Sequence, residues 1–262
     1  MGITYSSSLK KNLKDSFDVK KETKDDFIIA LAGNPNTGKS TVFNSLTGLH
    51  QHTGNWPGKT VTSAQGKYIY NNHNFIVVDL PGTYSLMASS VEEEVARDFL
   101  CFSNLNATVV VVDATCLERN LNLVLQVLEI TDKVIVCLNL MDEAKNKNIQ
   151  INIDLLSHKL GIPVIPTNAR NNIGILNLKD TIYKLCKNKI ITNPIKIKYG
   201  ISIEKFLSKT TPKLDEIFKG KINSRWIALR LLDGDKSILD SISKYLDVQI
   251  PYSNLKEGIN HE

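Results

Sequence analysis

The segment Gly33-Asn34-Pro35-Asn36-Thr37-Gly38-Lys39-Ser40 carries the clearest chemistry in the chain. Its spacing is G-x-x-x-x-G-K-[ST], in which glycines let backbone amides approach phosphate oxygens and the lysine reaches the β and γ phosphates. The Ser40 hydroxyl can serve a magnesium ion, and a helix opening near Ser40 and Thr41 would turn the positive end of its dipole toward the same anion. A second acidic motif, Asp79-Leu80-Pro81-Gly82-Thr83, places a carboxylate where it can join a magnesium shell and an amide, that of Gly82, where it can sense a γ phosphate. Alone, Asp-x-x-Gly is an ordinary end of a strand; its position after the phosphate loop makes it a site candidate. The third motif is Asn139-Leu140-Met141-Asp142. A carboxylate at 142 can accept from both N1–H and the exocyclic amine of guanine, a donor pair that adenine lacks. Asn139 can tie that loop to the phosphate loop, and Thr167-Asn168-Ala169-Arg170 can close over the base. GTP and GDP are therefore the expected ligands, with magnesium.

These motifs need a scaffold that gathers loop ends. Residues 27–32 form a short apolar run ending in glycine, the pattern of a buried parallel strand, and 40–49 follow as a helix. Residues 67–70 and 75–79 bracket Asn-Asn-His-Asn and read as a hairpin. Further apolar strands fall at 107–113, 134–139 and 163–166, separated by helical patterns near 91–102, 118–130, 153–160 and 175–186. Alternation at this spacing predicts an α/β fold with a doubly wound, mostly parallel sheet, which binds ligands at the carboxyl ends of its strands. Each motif above lies at such an end. After 190 the pattern turns helical, at 203–208, 214–218, 226–232 and 237–246, which predicts a small all-helical domain over 191–262. Residues 1–26 mix six lysines and five acids with few apolar side chains and read as a mobile arm before a domain spanning 27–190.

Composition bounds the remaining possibilities. The chain has 262 residues, 42% of them hydrophobic, enough for one sizeable core and a smaller unit. Its apolar stretches, such as 107–112, are far below the roughly 20 residues a membrane helix needs. Cys101, Cys116, Cys137 and Cys186 lack metal or disulfide spacing and read as reduced core thiols. The net charge of +5 comes from nine lysines between Lys187 and Lys221 against three acids, read here as a solvated basic face; the absence of arginine from that span argues against nucleic acid. His50, His52 and His73 show no ligand spacing.

The order of the motifs is similar to that of translation-factor-related GTPases. Within that class, Gly54-Asn55-Trp56-Pro57-Gly58-Lys59-Thr60-Val61, followed by residues 79–86, resembles the N-terminal GTPase domain of the ferrous-iron transporter family FeoB. Residues 117–121 and 225–235 extend the resemblance, which covers about 27–240. It implies that residues 54–61 are a first switch whose Thr60 joins Ser40 and Asp79 at magnesium in the GTP state. It also implies a potassium ion held by Asn36 and the carbonyls of Gly54 and Trp56. Thr83 stands where many GTPases keep a water-orienting glutamine, so slow hydrolysis is expected. The helical domain is expected to slow nucleotide release and to link the GTPase to a membrane permease domain, in the same or a longer chain, at the cytoplasmic face of the membrane; a homo-oligomer is compatible with this. The competing reading is a soluble GTPase of ribosome or RNA maturation, which the absence of a recognisable RNA-binding module disfavours.

Overall fold

The structure, a computed structural model, describes residues 17, 19, 21–48, 51–56 and 59–246, without the side chains of Gln51 and His52. Seven strands form one sheet in the order β2-β3-β4-β1-β5-β6-β7. β1 (Phe27–Gly33) pairs in parallel with β4 (His73–Asp79) and with β5 (Ala107–Asp113). The parallel run continues through β6 (Val134–Asn139) to β7 (Val164–Pro166). On the other side β3 (Thr62–Tyr70) runs antiparallel to β4, and β2 (Gln51–Asn55) antiparallel to β3.

Alternation along these strands builds two cores. Ile28, Ala30 and Ala32 of β1 join one cluster with Val110, Val112, Val136 and Leu138, while Ile29 and Leu31 join the other with Val109, Val111, Ile135 and Cys137. The second face is covered by α1 (Lys39–Thr47) and α6 (Ile175–Cys186), through Val42, Phe43, Leu178 and Ile182. The first is covered by α2 (Val91–Phe102) and α3 (Leu117–Ile130), with α4 (Met141–Asn146) and α5 (Ile153–Leu160) further along. Strands buried on both faces are what near-continuous apolar runs produce. Helix starts follow capping chemistry: Ser90 accepts from the Glu93 amide, with Glu92, Glu93 and Glu94 in the first turn, and Asn152 accepts from the Leu155 amide.

The C-terminal helices pack on the same face as α2. α7 (Ile201–Phe218), α8 (Ser224–Leu232) and α9 (Lys236–Leu246) place Leu207, Leu214, Phe218, Trp226, Ile227, Ile238 and Ile242 in the first cluster. The two helical segments expected at 203–208 and 214–218 are one helix running through Pro212. Phe206, Leu207, Thr210, Leu214 and Phe218 are buried along it, and that burial outweighs the one backbone donor the proline removes.

Of the segment read as a mobile arm, residues 17, 19 and 21–26 are described. Phe17 is buried, and the buried Asp26 carboxylate accepts from the amides of Glu22 and Thr23, the Thr23 hydroxyl and Asn74. The rest of that call, residues 1–16, 18 and 20, lies outside the described residues, as do His50 and the His52 ring. Cys101, Cys137 and Cys186 are buried free thiols, and burial pushes Cys137 and Cys186 each up to about 12, whereas Cys116 is exposed. No described helix is long and apolar enough to cross a membrane.

Candidate functional site

β1 delivers the chain to Gly33 so close beneath β5 that a Cβ there would lie 2.7 Å from the Val111 carbonyl oxygen. Beyond it the loop turns twice through left-handed backbone, at Asn36 (φ 65°) and Gly38 (φ 79°). Asparagine tolerates that region better than other non-glycine residues. At Gly38 a side chain would meet Asn139 Nδ2 at 2.4 Å. Thr37 Oγ1 donates to the Asn34 carbonyl at 3.0 Å, closing the loop on itself. α1 begins from Gly38 with no side-chain cap, which leaves its first-turn amides to an outside acceptor. Asn34 is buried and its Oδ1 has no partner among the described residues. The uncapped amides and an adjacent lysine fit a phosphate group.

Lys39 Nζ bonds to Asp79 Oδ1 and, at 2.6 Å, to the Leu80 carbonyl. Register sets this meeting, because Asp79 ends β4 opposite Leu31 of β1. Burial raises the Asp79 carboxyl above its ordinary value, and the Lys39 charge opposes that rise. Gly82 lies over the loop, where a Cβ would sit 3.4 Å from Pro35 Cα, and the buried Thr83 donates its amide to the Gly33 carbonyl at 3.3 Å. Pro81 is half-buried, and Ser40 and Thr41 are exposed. The Ser40 hydroxyl and Asp79 carboxylate are oxygen donors of the kind a hard divalent cation takes.

On the next strands, buried Asn139 is a hub. Its Nδ2 donates to the Thr37 carbonyl at 3.1 Å, and its Oδ1 accepts from Thr167 Oγ1 and the Ala169 amide, each at 3.1 Å. One side chain thus joins the ends of β6 and β7 to the loop after β1. Leu140 takes a left-handed conformation (φ 61°), and α4 starts at Met141, whose amide donates to the Thr167 carbonyl at 3.3 Å. Asp142 follows in the first turn, exposed. Asn168 caps the turn at 169–171, and the Ala169 carbonyl accepts from Ser45 of α1 at 2.9 Å.

The described residues of the 54–61 stretch make other contacts. Gly54 and Asn55 belong to β2, opposite Ser63 and Thr62. Trp56 is buried; its amide donates to the Val61 carbonyl at 2.9 Å and its carbonyl accepts from the Lys59 amide at 3.0 Å. Pro57 and Gly58 lie outside the described residues. Thr60 is exposed, and among the described residues no hydrogen bond joins it to Ser40 or Asp79, or joins Gly54 or Trp56 to Asn36. The expected magnesium and potassium sets are therefore only partly gathered here: Lys39 and Asp79 meet, and among the described residues Gly54, Trp56 and Thr60 make no hydrogen bond to them.

Three features escaped sequence reasoning. Lys59 pairs with Glu94 of α2 at 2.9 Å. Glu93 accepts from Ser85 Oγ at 2.9 Å and the Ser89 amide at 3.0 Å, fixing the segment after Gly82. Fully buried Arg97 donates to Asp98 on α2 at 2.7 and 2.9 Å, to Ser237 at 2.7 Å and to Ser241 at 3.0 Å, and so ties α2 to α9. An arginine and aspartate side by side on an apolar helix face were the only signal in the sequence.

Comparison with known proteins gives this arrangement a family. The model for ferrous iron transport protein B matches residues 27–182, more than half of the chain, and that for the FeoB cytosolic helical domain matches 199–261. An Fe(2+) transporter FeoB of Methanocaldococcus jannaschii is 45% identical over 212 residues, 80% of this chain and 31% of its own. The FeoA/FeoB fusion protein of Porphyromonas gingivalis is 40% identical over 215 residues, 80% of this chain and 25% of its own. The chain thus spans about a quarter to a third of the length of these relatives. Among solved structures, the cytosolic domain of Legionella pneumophila FeoB superposes with a TM-score of 0.76 at 34% identity, covering 90% of each chain. The apo cytosolic domain of Thermotoga maritima FeoB gives 0.75 at 35% identity, covering 88% of this chain and 92% of that one. With a sheet and helical domain that match those structures, and family models that match residues 27–182 and 199–261, this chain belongs to the ferrous iron transport protein B family.

Proposed function

We propose that this chain is the GTP-binding, slowly hydrolysing regulatory region of a ferrous-iron transporter, magnesium-dependent and potassium-stimulated, whose GTP or GDP state controls iron(II) uptake through a membrane permease domain. It would work in the cytoplasm against the inner face of the cell membrane. The observation that carries the reading is the convergence of Lys39, Asp79 and the Asn139 hub at the carboxyl ends of β1, β4 and β6. Solved relatives include GDP and GMPPNP forms of the T. maritima domain, which supports a guanine nucleotide as ligand. The ribosome- or RNA-maturation alternative is not favoured, and no nucleic acid is assigned.

In this reading the amides of residues 33–41 hold the phosphates, and Lys39 leaves Asp79 and the Leu80 carbonyl to reach them. Ser40, Asp79 and Thr60 would hold magnesium, and Asn36 with the carbonyls of Gly54 and Trp56 would hold potassium; bound there, both ions would supply positive charge against the phosphates. Bringing Thr60 and those carbonyls in would require Gly54, Trp56 and Thr60 to move. The Gly82 amide senses the terminal phosphate, Asp142 reads the guanine edge, and Met141, Thr167, Asn168 and Ala169 enclose the base.

Single-turnover GTP hydrolysis in potassium, in sodium and in a cation too bulky to fit tests the cation assignment. Potassium should accelerate wild type, by less than the roughly 10³ to 10⁵ of an arginine finger, and Asn36→Ala should lose the advantage. Equal wild-type rates in all three salts would remove the potassium site.

A further inference from the structure

Phe17 precedes the part of the chain that matches the transporter family, yet it is buried. Its ring stacks on Tyr245 of α9 at 4.9 Å and meets Phe99 of α2 edge-on at 5.3 Å and Trp56 edge-on at 6.3 Å. Trp56 itself lies edge-on to Phe99 at 5.1 Å, and Tyr245 stacks on Phe102 at 5.0 Å. The segment after Phe17 is fastened again, by the Glu22–Lys67 pair at 2.6 Å and by the hydrogen bonds around Asp26. Phe17 is thus the internal occupant of an aromatic groove whose walls come from Trp56, α2 and α9.

We propose that docking of Phe17 in this groove holds Trp56, and with it Thr60, away from the nucleotide and so favours GDP over GTP; the inference rests on the GTPase reading above. The Trp56 amide donates to the Val61 carbonyl at 2.9 Å, so in this proposal Thr60, the residue before Val61, travels toward Ser40 and Asp79 together with Trp56. Phe99, Phe102 and Tyr245 are held on helices, so the contacts that a movement of Trp56 breaks are those to Phe17 and to Phe99. Of the two, the Phe17–Trp56 contact is the one that loss of the Phe17 ring removes while Phe99 stays in place. A single aromatic pair is worth about a three- to tenfold change in an equilibrium constant.

The test measures dissociation constants for GDP and for a non-hydrolysable GTP analogue, with magnesium, in the full chain as wild type, Phe17→Ala and Phe17→Leu. Phe17→Ala should bind the analogue about three- to tenfold more tightly, with GDP affinity changed less than about twofold, and Phe17→Leu should move the same way by less. Should the alanine variant fail to fold, Phe17→Leu, which keeps apolar volume but loses the ring edge, must still shift the ratio. By reciprocity, the analogue should raise hydrogen exchange over residues 17–26 of wild type relative to GDP. Equal changes for both nucleotides, or none, would make Phe17 a packing residue only and overturn the inference. Failure of wild type to bind either nucleotide would overturn the functional reading and this inference with it.

Discussion

Asn139 shows how much one side chain can organise. It spends both ends of its amide on three backbone or hydroxyl partners, and the space it fills is what excludes a side chain at Gly38. Residues of this kind were legible in the sequence because local chemistry fixes their type: a left-handed turn asks for Gly38, and a charged phosphate asks for Lys39. The contact between Lys39 and Asp79 was not legible, since it depends on strand register 40 residues apart. Trp56 was equally hidden, because a tryptophan between glycines reads the same whether it lies on the surface or in a core. At position 83 the site has a buried threonine whose amide, not its hydroxyl, binds Gly33. Thr83→Ala should therefore change single-turnover GTP hydrolysis by less than about tenfold, well short of the 10² or more expected on removal of a direct general base. A loss of several orders of magnitude would make Thr83 a catalytic residue.

Strands and helices with strong periodicity fell where the sequence put them, from β5 and β6 to α2, α5 and α6, because each is apolar on the faces it buries and most are bounded by capping residues or glycine. β2 was missed: Gln-His-Thr-Gly-Asn has no apolar alternation, and its strand form comes from pairing with β3. α7 was broken in two, since a proline stops helices in short peptides but not when five buried positions continue through it. The start of order was placed at Phe27, although the turn before β1 is already fixed by Asp26. Burial alone would raise that carboxyl; hydrogen bonds from Thr23, Asn74 and Glu22 prevail and hold it at about 2. With the folded value below the usual 3.8, the stabilisation is present above about pH 4 and is lost as pH falls toward 2. Asp26→Asn should cost on the order of 1 kcal/mol at neutral pH and flatten the loss of stability between pH 4 and 2. Urea unfolding across that range checks it, and superimposable pH profiles would contradict it.

At the scale of the whole molecule, the C-terminal helices share one core cluster with α2 and α3, and Arg97 bonds across to Ser237 and Ser241 of α9. The sequence showed that a helical unit follows the sheet, but not where it docks, because an amphipathic helix does not name the surface that covers it. Docked there, the helices lie against α2, which pairs with Lys59 and braces the segment after Gly82 through Glu93. Both segments flanking the proposed nucleotide are thus anchored to the helix that carries the second domain, a physical route by which nucleotide state and domain contacts can be coupled. The central claim is that this scaffold selects guanine, and Asp142 is its reader. Titration of wild type and Asp142→Asn with GTP, ATP and XTP in magnesium tests it most directly. Wild type should prefer GTP over ATP by at least about 100-fold, because a site built on paired hydrogen bonds rejects a ligand that leaves them unmade. Asp142→Asn should lose GTP affinity by a similar factor and gain XTP. Unchanged GTP affinity in the variant, or equal affinity of wild type for ATP, would contradict the account.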